Sequence, residues 1–76
     1  MKVYILNETQ NLMDYNEHEM FRSYDSAKNM FNAVKATLEL QYPDAEVLTD
    51  DEIDDEYYID SGDVSIRLYI TEFDIN

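Results

Sequence analysis

The spacing of apolar and polar residues changes along the chain, and each spacing predicts an element. Over 2–6, Val3 and Ile5 alternate with Tyr4 and Leu6. β-Branched or aromatic groups on both faces predict a central strand. From Asn7 to Asn16 the residues are mostly polar, a connection with Leu12 and Met13 embedded in it. Glu17 to Arg22 reads as a second strand with Met20 or Phe21 facing inward, although Glu17-His18-Glu19 would also suit a helix or loop. From Tyr24 the period lengthens: Ala27, Phe31, Val34 and Leu38 fall at i, i+4, i+7 and i+11, and Met30, Ala33 and Leu40 widen this stripe. Ser23 is the expected N-cap, with Asp25 in the first turn near the positive end of the helix dipole. Pro43 restricts Tyr42 to extended geometry, so the helix should span 24–41, a length of about 27 Å.

In the second half, Ala45 to Leu48 reads as a short extended piece and Thr49 to Glu52 as a turn or loop. Tyr57 to Asp60 reads as a strand, and Ser61-Gly62, with the chain's only glycine, as a tight hairpin turn. Val64, Ile66, Leu68 and Ile70 then alternate with Ser65, Arg67, Tyr69 and Thr71, the strongest period-two signal in the chain. The expected fold is α+β: a two-layer sandwich with one helix on one face of a sheet of three to four mainly antiparallel strands, in the order ββαββ, or βαββ if the second strand is absent. With 76 residues and no linker, positions 1–76 form a single domain. The face away from the helix is expected to display Tyr69 with Phe73, Tyr58 and Tyr4.

Charge changes this picture most. Five basic residues stand against 18 acidic ones, a formal net charge of −13. More than half of the acids lie between Asp44 and Asp63: Asp44, Glu46, Asp50, Asp51, Glu52, Asp54, Asp55, Glu56, Asp60 and Asp63, with no Lys or Arg among them. Lys28 and Lys35 are expected on the outer side of the helix, which would leave the molecule electrically lopsided. A charge of this sign repels nucleic acid and anionic membranes and steers basic proteins inward. A composition 45% hydrophobic with seven tyrosines argues for a folded chain rather than a disordered one. There is no cysteine, which excludes disulfides and suits a reducing cytoplasm. No apolar run is long enough to span a bilayer, and the N-terminal apolar segment is too short for a signal peptide, so a cytoplasmic location is expected.

Catalytic chemistry finds little support. Nucleophilic catalysis needs an activated Ser or Cys beside a base, and His18, flanked by Glu17 and Glu19, reads as a surface histidine. One glycine cannot build a phosphate loop. The run Asp50 to Glu56 offers hard oxygen ligands, but it places Asp55 where an EF-hand needs glycine and interrupts the alternation with Ile53. The reading is therefore a non-enzyme with no cofactor and no dedicated metal site.

What remains is binding. Strand residues two apart share a face at a repeat of about 7 Å, so carboxylates there can form a row spaced like backbone phosphates. In size, acidity and expected two-layer build, the chain resembles small acidic phage and mobile-element proteins of the DNA-mimic anti-restriction and anti-CRISPR type. Its Met1-Lys2-Val3-Tyr4-Ile5 opening and Ser23-Tyr24-Asp25-x-Ala27-Lys28-x-x-Phe31 stretch also look like those of many small phage proteins. The resemblance implies an inhibitor that occupies the basic or nucleic-acid-binding surface of a protein or nucleoprotein complex in the host cytoplasm, as a monomer or weak homodimer, without itself binding nucleic acid or membrane. The same features suit an antidote or immunity protein that neutralises a basic toxin, or a structural or regulatory homodimeric module. The expected contact residues are Asp50, Asp51, Glu52, Asp54, Asp55, Glu56, Tyr57, Tyr58, Asp60 and Asp63.

Overall fold

The computed structural model describes residues 1–11 and 15–75. The elements are β1 (Lys2–Gln10), β2 (Tyr15–Phe21), α1 (Tyr24–Gln41), β3 (Glu46–Asp51), β4 (Glu56–Asp60) and β5 (Ser65–Asp74). All the strands join one antiparallel sheet in the spatial order β2-β1-β5-β4-β3, and α1 lies across one face. The α+β build, with one helix packed on an antiparallel sheet, matches the expectation, but the chain order is ββαβββ, with three strands after the helix where two were expected. The sheet has five strands rather than three or four.

Two polar stretches account for the extra strand length. Thr49, Asp50 and Asp51, expected in a turn or loop, continue β3 and pair with Tyr58, Tyr57 and Glu56. Asp50 is held there by Lys35 of α1, 2.6 Å away, so a helix cation offsets a carboxylate that sequence pattern assigns to a loop. In β1 the strand runs on through Asn7 to Gln10. Asn7 is buried, but its Nδ2 donates to Ile5 O, Tyr69 O and Thr71 Oγ1, which removes the desolvation penalty that makes buried amides rare. Leu12 and Met13 lie outside the described residues.

The helix forms where expected and for the expected reasons. Ser23 is extended and its Oγ accepts from the Ser26 N–H at 3.1 Å, while at the other end the Tyr42 N–H returns to Leu38 O at 2.9 Å. Ala27, Phe31 and Leu38 form its buried stripe. Phe31 and Leu38 meet Leu6, Tyr57, Ile59, Ile66 and Leu68 from the sheet and Val64 from the turn before β5, with Phe21, Val34 and Ile70 at the margin. Ile59, Ile66 and Leu68 are fully buried, and each such side chain contributes about 1.5–3 kcal/mol to stability.

Register assigns the faces. Leu6 sits opposite Ile70, and Tyr57 and Ile59 opposite Leu68 and Ile66, all beneath α1. The alternate residues Ile5, Asn7, Arg67, Tyr69, Thr71, Phe73 and Tyr58 therefore lie on the opposite face. Tyr4, expected among them, is on the helix side instead: it pairs with Phe21, and its ring meets Tyr24 edge-on at 5.8 Å. Between β4 and β5, Gly62 takes φ +96°, which side chains with a Cβ rarely adopt, and its N–H is held by Asp60 Oδ1 at 2.8 Å. Among the described residues no helix is long and apolar enough to cross a membrane.

Candidate acidic interaction surface

The ten acids between Asp44 and Asp63 occupy the α1–β3 turn, β3, the β3–β4 turn, β4 and the turn that follows it. They fall into three groups by what they touch.

The first group is paired with cations. Asp55 is buried, with φ +53°. Its carboxylate accepts from Tyr24 Oη on both oxygens, at 2.9 and 2.8 Å, and from Lys28 Nζ at 2.6 Å. Its carbonyl accepts the Ile70 N–H at 3.2 Å. The bond to Asp55 pushes the Tyr24 hydroxyl above the usual tyrosine range, because ionised Tyr24 could no longer donate it. Asp50 holds Lys35, whose ammonium is pushed up by that hydrogen bond and lies 5.1 Å from the centre of the Tyr57 ring. Glu56 accepts from Arg67 Nε at 2.8 Å, and that guanidinium stacks 4.5 Å over Tyr69. Lys28 and Lys35 are thus not on the outer side of the helix. They lie on the flank that faces the hairpin and tie α1 to it, so the expected segregation of lysines from acids does not hold.

The second group shapes turns. Asp51 Oδ1 accepts the N–H groups of Ile53 and Asp54 at 2.9 and 3.1 Å. Those bonds, the Asp54 one first, hold its carboxyl below the ordinary aspartate range. Asp54 is pushed up, chiefly by the charge of Asp51. Asp60 caps Gly62 as described.

The third group, Asp44, Glu46, Glu52, Asp54 and Asp63, is exposed. Asp54 belongs here as well, since its backbone, not its carboxylate, serves the turn. Glu52 and Asp54 flank Ile53, which is 91% exposed at the hairpin tip. On the face away from α1, Glu46 stands opposite Asp60, and Asp51 opposite Glu56. Like charges directly across a ladder cost stability. Arg67 offsets the charge of Glu56, and Asp51 and Asp60 serve turns, which leaves Glu46 as the member with no folding role among these bonds.

Of the tyrosines expected at the surface, Tyr57 belongs to the core beneath α1, and burial pushes its hydroxyl up. Tyr58 is half-buried on the other face, near Arg67 and Glu56. Asp55 and Tyr57 are therefore structural, while Glu52, Asp54 and Asp63 remain open to a partner.

Sequence reasoning missed a second acidic group. Glu8, Glu17 and Glu19 line a groove between α1 and β2 with Leu6, Met30, Val34 and Leu68, and Glu8 lies directly opposite Glu17. The signal was present as Glu17-x-Glu19-x-Phe21, a period-two pattern that puts both glutamates on the face of Phe21. His18, on the other face, lies 2.6 Å from Asn7 Oδ1. Because Asn7 Nδ2 already donates to three oxygens, its Oδ1 must accept, so Nδ1 of His18 carries a hydrogen.

Among the described residues no three carboxylates or imidazoles converge as a cation site. The carboxylates are solvated or hydrogen-bonded, and what they offer is charge recognition of cationic groups. The chain matches no family model, and comparison with curated proteins and with solved structures likewise returned no match.

Proposed function

We propose that this protein is a small acidic inhibitor that occupies the basic, nucleic-acid-binding surface of a partner protein, in the manner of anti-defence DNA mimics. The observation that carries this reading is the density of net negative charge along the length of the molecule. The molecule is 42 Å long and has a net charge of −13, or one negative charge for about every 3.2 Å. Phosphates along one strand of duplex DNA are spaced by about 3.4 Å. The cations do not interrupt this field. Lys2, Lys28, Lys35 and Arg67 are each bound to a carboxylate of the same chain, and Arg22 alone among the described Lys and Arg side chains has no such partner. The like-charge pair Glu46–Asp60 supports the reading further, since a basic partner would relieve it.

The test uses the exposed acids rather than the paired ones. Purified protein is used to capture partners from host lysate at low and high salt, and the captured partner is then assayed for nucleic-acid binding. The expected result is a salt-sensitive partner that loses its nucleic acid to this protein, and loss of both effects in the variant E46Q/E52Q/D54N/D63N. A captured partner that keeps its nucleic acid, or a variant that competes as well as the parent, would show the reading to be wrong.

A further inference from the structure

The two edges of the sheet are built differently. At one edge, β3 shifts register between Val47 and Thr49, and the resulting bulge at Leu48 turns the strand away from regular pairing. At the other edge, β2 keeps an unbroken antiparallel register with β1, from Tyr4↔Phe21 to Gln10↔Tyr15, and contains no proline, lysine or glycine. Among the described residues nothing pairs with its outer side. A regular strand with one open side presents alternate N–H and C=O groups to any extended segment that matches its side chains.

The side chains of β2 specify that segment. Glu17 and Glu19 are exposed on the helix side and border the groove that Met30 and Val34 line. Met20, on the other side, is 63% exposed opposite Ile5. We propose that β2 is a docking edge that takes up, by strand addition, an extended segment of a partner protein carrying Lys or Arg on the glutamate side and apolar residues on the Met20 side. The aliphatic stems of the basic residues lie along Met30 and Val34, while their charged ends meet Glu17 and Glu19. A second copy of this chain is disfavoured in the register that would pair β2 along its whole length. Antiparallel pairing of two β2 strands about His18 would set Glu17 opposite Glu19 twice, with like charges face to face. The charge that disfavours self-pairing is the same charge that selects a cationic strand. This edge is the far one from the β3–β4 surface, so the inference does not rest on the function proposed above.

The test titrates isotopically labelled protein with a capped peptide of alternating lysine and valine, followed by amide resonances and hydrogen exchange. Shifts and slowed exchange are expected over residues 17–21. The E17Q/E19Q variant should bind about tenfold more weakly, the scale set by losing charge-assisted contacts. A peptide N-methylated at alternate residues keeps its charge but cannot complete the ladder, and it should not bind. Equal binding of the N-methylated peptide would reduce the effect to bulk charge attraction and overturn the proposal. So would shifts confined to residues 44–63, or a dimer of the free protein formed through β2.

Discussion

Lys28 Nζ lies 2.6 Å from Asp55 Oδ1, joining the first half of the helix to the turn that leads into β4. Both side chains are largely shielded from water, at 22% and 10% exposure, and the Tyr24 hydroxyl completes the site. Asp55→Ala would leave the ammonium and the hydroxyl without their acceptor and place a Cβ residue other than Asn or Asp at φ +53°. It is expected to cost about 2–4 kcal/mol. Asp55→Asn tolerates the left-handed backbone and still accepts from Tyr24, so about half that loss is expected. Urea unfolding of the two variants checks both the size and the order.

The Lys35–Asp50 pair gives the contrast. Asp50 is 46% exposed, and water already solvates much of its charge. Asp50→Asn is expected to change stability by less than about 1 kcal/mol. A loss as large as that of Asp55→Ala, measured in the same urea series, would contradict this division between structural and surface acids.

Asp51 and Asp54 respond to pH in opposite senses. The carboxyl of Asp51 is held below 3.8 by the N–H groups of Asp54 and Ile53, so its contribution to stability is present above 3.8 and is lost as pH falls further, through its folded value. Asp54 is raised above 3.8 by the charge of Asp51, so its ionised form opposes folding at neutral pH, and that opposition fades as pH falls through the raised value toward 3.8. Carboxyl carbon titration by NMR should place Asp51 below and Asp54 above the ordinary aspartate value. Asp54→Asn keeps the backbone N–H that Asp51 accepts, so Asp51 should stay below that value, and the loss of the opposed charge should raise the melting temperature at neutral pH.

Salt should stabilise the protein. With 18 acids against five bases, self-repulsion opposes the folded state. Raising ionic strength from about 10 mM to about 1 M shortens the screening length from about 30 Å to about 3 Å. The melting temperature, read by circular dichroism, should rise across that range. A fall would mean that the internal ion pairs outweigh the repulsion.

Gly62 isolates a backbone effect. A Cβ built there meets nothing within 4 Å, so Gly62→Ala carries no steric clash with other residues. At φ +96° the substitution is still expected to cost about 1 kcal/mol or somewhat more, through strain in the β4–β5 turn alone. Thermal or urea unfolding of the variant measures it.

Legibility in the sequence followed the physics of each element. The helix was readable because Ala27, Phe31 and Leu38 repeat at its period and Ser23 caps it through local bonds. β5 was readable because Ile66 and Leu68 alternate with polar neighbours. The second half of β1 and the end of β3 were not, because their strand character rests on bonds from distant residues: Thr71 and Tyr69 for Asn7, Lys35 for Asp50. The acidic block was visible as composition, but its division into structural and exposed members was not. Asp55 looks like its neighbours in sequence and differs from them only because Tyr24 and Lys28 reach it across the fold.

The pairing of β1 with β5 at the middle of the sheet has a consequence for synthesis. The two strands come from opposite ends of the described chain, and Ile75 N–H closes onto Met1 O beside them. As the chain leaves the ribosome, β1 can find β2 at once, but its other side waits for β5, which follows every other described element in the sequence. Seams formed late between distant segments fold slowly and leave sticky edges exposed in the meantime. A chain ending before Ser65 is therefore expected to lack a cooperative melting transition, which circular dichroism would detect. During that wait mutual repulsion among nascent chains keeps them apart, so the negative charge protects the protein before it has a surface to present.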